Sequence, residues 1–206
     1  MVKSITDNNF KFIFTMSSKN NCFCGSHKSY AACCERFLEQ NDLNPHNPET
    51  AEQLMRSRFS AYATRNSQYI YDTYAENSKS SHTVEEIDEW AKACQWIALE
   101  VHSTLKGEKI VNKHHEQFVE FSAFYISNNT LYELRENSCF IVENVLNERD
   151  LMQESTLNVR WRYLDGDIIK HCELSKIKRN SLCPCNKYPT AWSEKKGKKY
   201  KQCCGK

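Results

Sequence analysis

The chain has 206 residues, of which 40% are hydrophobic, 26% charged and 12% aromatic, with a formal net charge of +2. That is enough chain for one sizeable core with appendages, and five glycines and four prolines are too few for long flexible linkers. Nothing approaches the roughly 18 apolar residues of a membrane span, and the N-terminus lacks the apolar stretch of a secretory signal, so the reading is a cytoplasmic protein with no membrane partner.

Residues 1–20, rich in Asn, Ser and Lys, read as a flexible tail, with Met16 a candidate true start. Residues 21–45 carry the first of two cysteine clusters, Cys22-Phe-Cys24-Gly-Ser-His-Lys-Ser-Tyr-Ala-Ala-Cys33-Cys34. Four soft thiolates in a Cys-x-Cys pair and an adjacent pair suit tetrahedral zinc in a closed structural site. Disulfides fit badly, because a bond within Cys-x-Cys or between neighbours closes a strained ring. His27 reads as a solvent residue rather than a fifth donor. The chain should continue from Cys33-Cys34 into a short helix and break at the Asn44–Pro48 loop.

Residues 46–176 form the central domain. Thr50-x-x-Gln53 and Thr83-x-x-Glu86 are capping-box signatures. The first opens a helix with Leu54, Met55, Phe59 and Tyr62 on one face; the second opens one with Val84, Ile87, Ala91 and Cys94 on one side. Ser67 is the expected cap of a shorter helix between them. From Gln95 the period becomes two. Ile97, Leu99 and Val101 alternate with Trp96, Ala98, Glu100 and His102, and the first set is the expected core face. Val119, Phe121, Ala123 and Tyr125 form a second stripe, a third stretch runs from Leu131 to Val145, and Asn128-Asn129 is a turn between them. Asp165-Gly166, between Val159–Leu164 and Ile168–Leu174, is a two-residue hairpin signal. Helices followed by long antiparallel strands make an α+β fold.

For proton-transfer chemistry the candidates are Glu100, His102, His114, His115, Glu120, Glu136 and His171. No triad, phosphate loop or metalloprotease helix organises them, so the leaning is against an enzyme. His102 reads as a sheet-rim residue, His114-His115 as loop, and Trp161 and Tyr163 as packed inside. Cys94, Cys139 and Cys172 read as small buried hydrophobes.

Residues 177–206 hold the second cluster, Cys183-Pro-Cys185 with Cys203-Cys204. Eight residues separate Cys24 from Cys33, but seventeen separate Cys185 from Cys203, so a nine-residue excess around Tyr188 to Glu194 must loop out. Loop closure costs only a logarithm of length, so that is tolerable. Eight thiolates with two Zn²⁺ would move the net charge to about −2. Lys195, Lys196, Lys198, Lys199 and Lys201 then read first as counter-charge, and second as a nucleic-acid contact. Tyr188, Trp192 and Tyr200 among those lysines read as a contact surface for a partner.

Both clusters resemble the SEC-C motif, a short zinc-binding element known from the tail of the SecA translocation ATPase. Gly25, Ser26, Lys28, Tyr30 and Cys33-Cys34 carry the first copy, with His27 where the motif has glycine. Gly197, Lys198, Lys199, Tyr200 and Cys203-Cys204 carry the second, preceded by Arg179-Asn180. Two copies around one domain resemble the bacterial YchJ (UPF0225) family. So do Leu54-Met55-Arg56-Ser57-Arg58-Phe59-Ser60-Ala61-Tyr62, Glu136-x-Ser138-x-Phe140 and Trp161-x-Tyr163-x-Asp165-Gly166. The resemblance implies two zinc sites, on Cys22, Cys24, Cys33 and Cys34 and on Cys183, Cys185, Cys203 and Cys204. It also implies a cystatin- or ketosteroid-isomerase-like cone, a curved antiparallel sheet wrapped on helices, flanked by the two knuckles. For function it implies a binding module that docks a protein or ribosomal partner of the translation or secretion machinery. The alternative is a small-molecule-binding or catalytic cone with structural knuckles. A deep apolar cavity with a convergent His or carboxylate separates the two.

Overall fold

The computed structural model describes residues 21–39, 46–111, 114–144, 159–192 and 197–206. The expected tail with Met16, Asn44-Pro45 of the expected loop, the Val145 end of the third stretch, and Glu194 to Lys196 lie outside those residues.

The first cysteine cluster passes through a π-helical turn, Ala31–Glu35, into the short helix α1 (Arg36–Leu38). Helix α2 (Ala51–Thr64) begins where Thr50 Oγ1 accepts the Gln53 amide at 3.1 Å. The Gln53 carboxamide turns back to the Glu49 amide at 2.9 Å rather than to Thr50, so this capping box is displaced by one residue. Helix α3 (Ser67–Asp72) is capped by Asn66, whose Oδ1 accepts the Tyr69 amide at 3.1 Å. Ser67 does not cap it; its hydroxyl donates to Asp88 instead. The single turn α4 (Glu76–Lys79) precedes α5 (Val84–Ala93), where Thr83 and Glu86 make the full reciprocal box.

Strands β1 (Gln95–Val111), β2 (His114–Ser127), β3 (Thr130–Asn144) and β4 (Val159–Lys176) form one antiparallel sheet in sequential order. Asn128 and Asn129 turn β2 into β3 with φ of 49° and 56°, the left-handed pair of a tight hairpin. The fold is α+β, with the helices packed on one face of the sheet. Leu54, Phe59, Ile70, Ile87, Leu99, Val119, Phe121 and Phe140 make the core between them.

The simple alternation expected of β1 fails for a physical reason. Register shifts between Trp96 and Ala98 and between Val101 and Ser103 each turn the strand over. Trp96 therefore joins Leu99 in the helix-side core instead of the outer face. Ile97 and Ala98 instead pack with Phe124, Ile126 and Leu131 beneath the C-terminal segment. At that end the sheet is buried on both sides. His114 and His115 are not loop: they open β2, and His115 Nδ1 meets the Gly107 carbonyl at 3.0 Å.

The Asp165-Gly166 hairpin is also absent. β4 runs through it without turning, pairing Cys139 with Asp165 and Ser138 with Gly166. The glycine serves close approach rather than a turn, since a Cβ at Gly166 would overlap the Glu136 carboxylate and the Tyr163 hydroxyl. Gly166→Ala should therefore destabilise the protein by about 1–3 kcal/mol through forced separation of β3 and β4. Urea unfolding checks this, and an unchanged midpoint would show that Glu136 moves aside freely.

Candidate metal centres and central cavity

Each knuckle is built from the same hydrogen bonds. The Cys22 amide donates to the Lys28 carbonyl at 2.7 Å, and the Cys183 amide to the Lys198 carbonyl at 3.0 Å. The Cys33 amide donates to the Tyr30 carbonyl, and the Cys203 amide to the Tyr200 carbonyl, both at 3.0 Å. A small bridge closes each hairpin, Asn21 with Ser29 and Leu182 with Lys199. Gly25 (φ 71°), His27 (φ 60°) and Gly197 (φ 78°) take the left-handed conformations that these tight turns need. Histidine thus adopts the backbone for which the motif uses glycine, and its side chain is exposed.

The sulfurs converge. Cys22, Cys24, Cys33 and Cys34 lie within 4.8 Å of one another, as do Cys183, Cys185, Cys203 and Cys204. Neighbouring sulfurs are 3.7 Å (Cys24–Cys33) and 3.8 Å (Cys33–Cys34) apart in the first group, and 3.6 Å (Cys185–Cys203) and 3.8 Å (Cys203–Cys204) in the second. A tetrahedral ion with metal–sulfur bonds of about 2.3 Å spaces its sulfurs by about 3.8 Å, so both groups could hold one. No sulfur pair is a disulfide. Without a cation, hydrogen bonding to Cys24 pulls Cys22 down to about 7. Burial pushes Cys183 up to about 11. A divalent ion is what lets four crowded, buried thiols be anionic together. Around the first group Ser26 Oγ lies 3.2 Å from Cys33 Sγ and buried Ser60 Oγ lies 3.7 Å from Cys22 Sγ, placed to donate to thiolates.

The excess residues of the second cluster are the seam between the two knuckles. Tyr188 packs on Phe124 of the sheet at 4.2 Å, and Ala191 bridges to Ala98. Trp192 lies 4.8 Å from Phe23 of the first knuckle and donates its indole N–H to the Trp96 carbonyl at 3.0 Å. Gly25 abuts Thr190 so closely that a Cβ there would overlap it. Tyr200 is buried at 7% exposure. Of the three aromatics expected to form a contact surface, Tyr200 is buried and Tyr188 and Trp192 are half-buried.

Beneath the helices lies a cavity of about 140 Å³. Arg58, Tyr62, Trp90, Trp96, Glu136 and Tyr163 are in its wall, with phenylalanines completing it. Arg58 is 7% exposed and donates to the Ile70 carbonyl and the Thr73 hydroxyl, both at 2.7 Å. Its guanidinium stacks on Tyr74 (4.4 Å) and Tyr163 (4.6 Å). Glu136 Oε1 accepts from Ser138 at 2.5 Å and from Tyr163 at 2.9 Å. Burial, then the Glu136 charge, push the Tyr163 phenol up, so it stays protonated and donates. In the sequence Arg58 stands out only as part of a family-like segment; the signal for its role was a cation set among apolar positions of α2.

Of the candidate catalytic residues only Glu136 reaches this cavity. His102, exposed, meets Ser122 Oγ at 2.9 Å; because Ser122 gives its one proton to Glu133, His102 Nε2 must carry the hydrogen. Glu120 pairs with Arg135 at 2.5 Å, and His171 meets the Tyr125 hydroxyl at 2.7 Å. Glu100 is half-buried and His114 exposed. Trp161 and Tyr163 are half-buried against the core rather than fully inside. Cys94 and Cys139 are buried, each pushed up to about 11 chiefly by that burial, and Cys172 is half-buried.

Residues 50–166 match the family described as YchJ, middle NTF2-like domain. A UPF0225 protein of Vibrio cholerae is 33% identical over 185 residues, covering 90% of this chain and 99% of its own length. One from Photorhabdus laumondii is 33% identical over 192 residues, covering 89% and 98%. The fold is similar to a SEC-C motif containing protein from Psychrobacter arcticus, with a TM-score of 0.58 at 24% identity over 91% of this chain and 97% of that one. It is similar also to one from Rhodopseudomonas palustris, with a TM-score of 0.55 at 23% identity over 73% and 99%. No helix among the described residues is long and apolar enough to cross a membrane.

Trp192→Ala should loosen the first knuckle without emptying either cysteine site, because it removes the Phe23 contact and no thiol. Amide exchange over residues 22–34 should quicken by about tenfold or more, with metal content unchanged. Unaltered exchange would mean that α2 alone holds the knuckle.

Proposed function

The chain belongs to the UPF0225 (YchJ) family, and from that premise we propose that it binds a small molecule in the central cavity, with the two knuckles as structural zinc clamps. One observation carries the reading: the three internal segments that resemble the family meet at this cavity. Arg58, Phe59 and Tyr62 come from the first, Glu136, Ser138 and Phe140 from the second, and Tyr163 from the third. Gly166, closing the third, leaves the space in which Glu136 sits. A half-enclosed apolar space with a few convergent polar groups is the usual form of a ligand site.

Zinc is the ion that four thiolates without oxygen or imidazole donors favour, and four protein ligands leave it no open position for chemistry. Eight clustered cysteines without a disulfide suit a reducing compartment such as the cytoplasm. Docking of a protein, ribosomal or nucleic-acid partner is the other reading. Tyr200 is buried and Tyr188 and Trp192 are half-buried, so what supports it is chiefly the exposed cation set of Lys187, Lys198, Lys199 and Lys201. Charge reversal at Lys198 and Lys199 tests it separately, since docking requires a salt-dependent loss of partner.

The cavity reading is tested by filling the space. Ala123 is in the wall and 2% exposed. Protein isolated from its native host should carry a small non-protein mass in native mass spectrometry, beside about two zinc ions per chain. Ala123→Leu should lose that mass and keep the zinc. Wild-type protein that retains zinc but never carries or takes up a small molecule would overturn the reading.

A further inference from the structure

The cavity's size, lining and charge balance together narrow what it can take. Its volume, about 140 Å³, is close to the roughly 150 Å³ cavity known to admit one benzene ring. The wall is dominated by aromatic rings set at varied angles. Trp96 packs on Phe59 at 5.8 Å, on Tyr62 at 5.0 Å and on Trp90 at 5.1 Å. Such faces and edges favour another flat ring over a branched aliphatic chain. Trp90 is also 37% exposed, so the wall meets solvent there and a small molecule has a way in.

Charge selects further. Arg58 and Glu136 stand in the same wall, so a cavity already holding one cation and one anion offers no net field to pay for the desolvation of a charged ligand. Arg58 Nη1 gives its hydrogens to the Ile70 carbonyl and the Thr73 hydroxyl, and Tyr74 and Tyr163 cover the guanidinium faces. Glu136 has an oxygen to spare. Its Oε1 receives both the Ser138 and the Tyr163 protons, while among the described residues no group donates to its Oε2. A half-buried carboxylate with one oxygen unserved asks for a hydrogen-bond donor, and charge-assisted bonds of this kind are strong.

We propose that the cavity recognises a neutral single-ring aromatic or heteroaromatic compound that carries a hydrogen-bond donor, an O–H or N–H, directed at Glu136. This rests on the small-molecule reading above and adds to it the ligand's size, charge and polar group. Glu136 is the specificity residue, Ser138 and Tyr163 position its carboxylate, and Gly166 gives it room. Tryptophans at the wall supply the shape and a spectroscopic signal.

The test uses zinc-loaded full-length protein freed of any co-purified molecule, titrated with phenol, toluene, benzoate and benzylammonium while indole N–H shifts and tryptophan fluorescence are followed. Phenol should bind at least about tenfold more tightly than toluene, the same shape without a donor, and more tightly than either ion. Glu136→Gln should erase most of the preference for phenol and leave toluene binding within about threefold of wild type. Should that variant fail to fold, the wild-type comparison of phenol with toluene decides alone. Equal binding of phenol and toluene, or tighter binding of either ion, would overturn the ligand class and leave the cavity as a binding site. Failure of all four rings to perturb Trp90 or Trp96 would overturn the ligand class and the small-molecule reading together.

Discussion

A guanidinium buried inside a domain must be solvated by protein, and Arg58 is where this fold meets that demand. Leaving such a group unpaired costs several kcal/mol, about the size of a domain's net stability. The remedy recruits α3, the residues just after it and β4 at once. α3 supplies the Ile70 carbonyl and its end the Thr73 hydroxyl; Tyr74 and Tyr163 of β4 cover the two faces. The backbone follows the side chain: Ala75 donates to the Tyr163 carbonyl at 2.7 Å, and Tyr163 donates to the Thr73 carbonyl at 2.9 Å. β4 is thus held to the helical layer near its start, and Tyr163 is delivered to Glu136. The cavity wall and the fold's stabilising network share the same atoms.

Two residues earlier on the same helix, Arg56 points the other way, as positions two apart must. Its guanidinium donates to the Cys24 carbonyl at 3.0 Å and pairs with Glu52 at 2.7 Å. Ser60, on the next turn, faces Cys22 Sγ. One short stretch of α2 therefore serves the first cysteine group on one side and the cavity on the other. The second group reaches the first through the residues by which it departs from a minimal knuckle. That asymmetry explains the nine-residue excess: the extra chain covers the outer face of β1 and β2 and presses on Phe23 and Gly25. The two cysteine sites are parts of one packed structure, although 148 residues lie between Cys34 and Cys183.

Much of this was legible in the chain. The cysteine spacing located both clusters because thiolate chemistry is local and nearly context-free, and the α5 capping box and the Asn128-Asn129 turn are likewise short-range. What misled were residues whose role is set by distant neighbours. Asp165-Gly166 has turn chemistry, yet Gly166 is required by Glu136 thirty residues away, and no local rule encodes that. The bulges in β1 exchanged the faces of Trp96 and Ile97 through pairing with β2, a property of register and not of pattern. Tyr188 and Trp192 looked like a surface because lysines surround them; their partners, Phe124, Trp96 and Phe23, lie far off in sequence.

The most direct measurement is the electron density inside the cavity of zinc-loaded protein purified from its native host without refolding. A ligand site of the kind argued from Arg58 and Glu136 predicts a flat density, one ring in size, with an atom about 2.6–3.2 Å from the Glu136 carboxylate. Tyr62 and Trp90 rotated inward to fill the space, with Glu136 turned out to solvent, would contradict it.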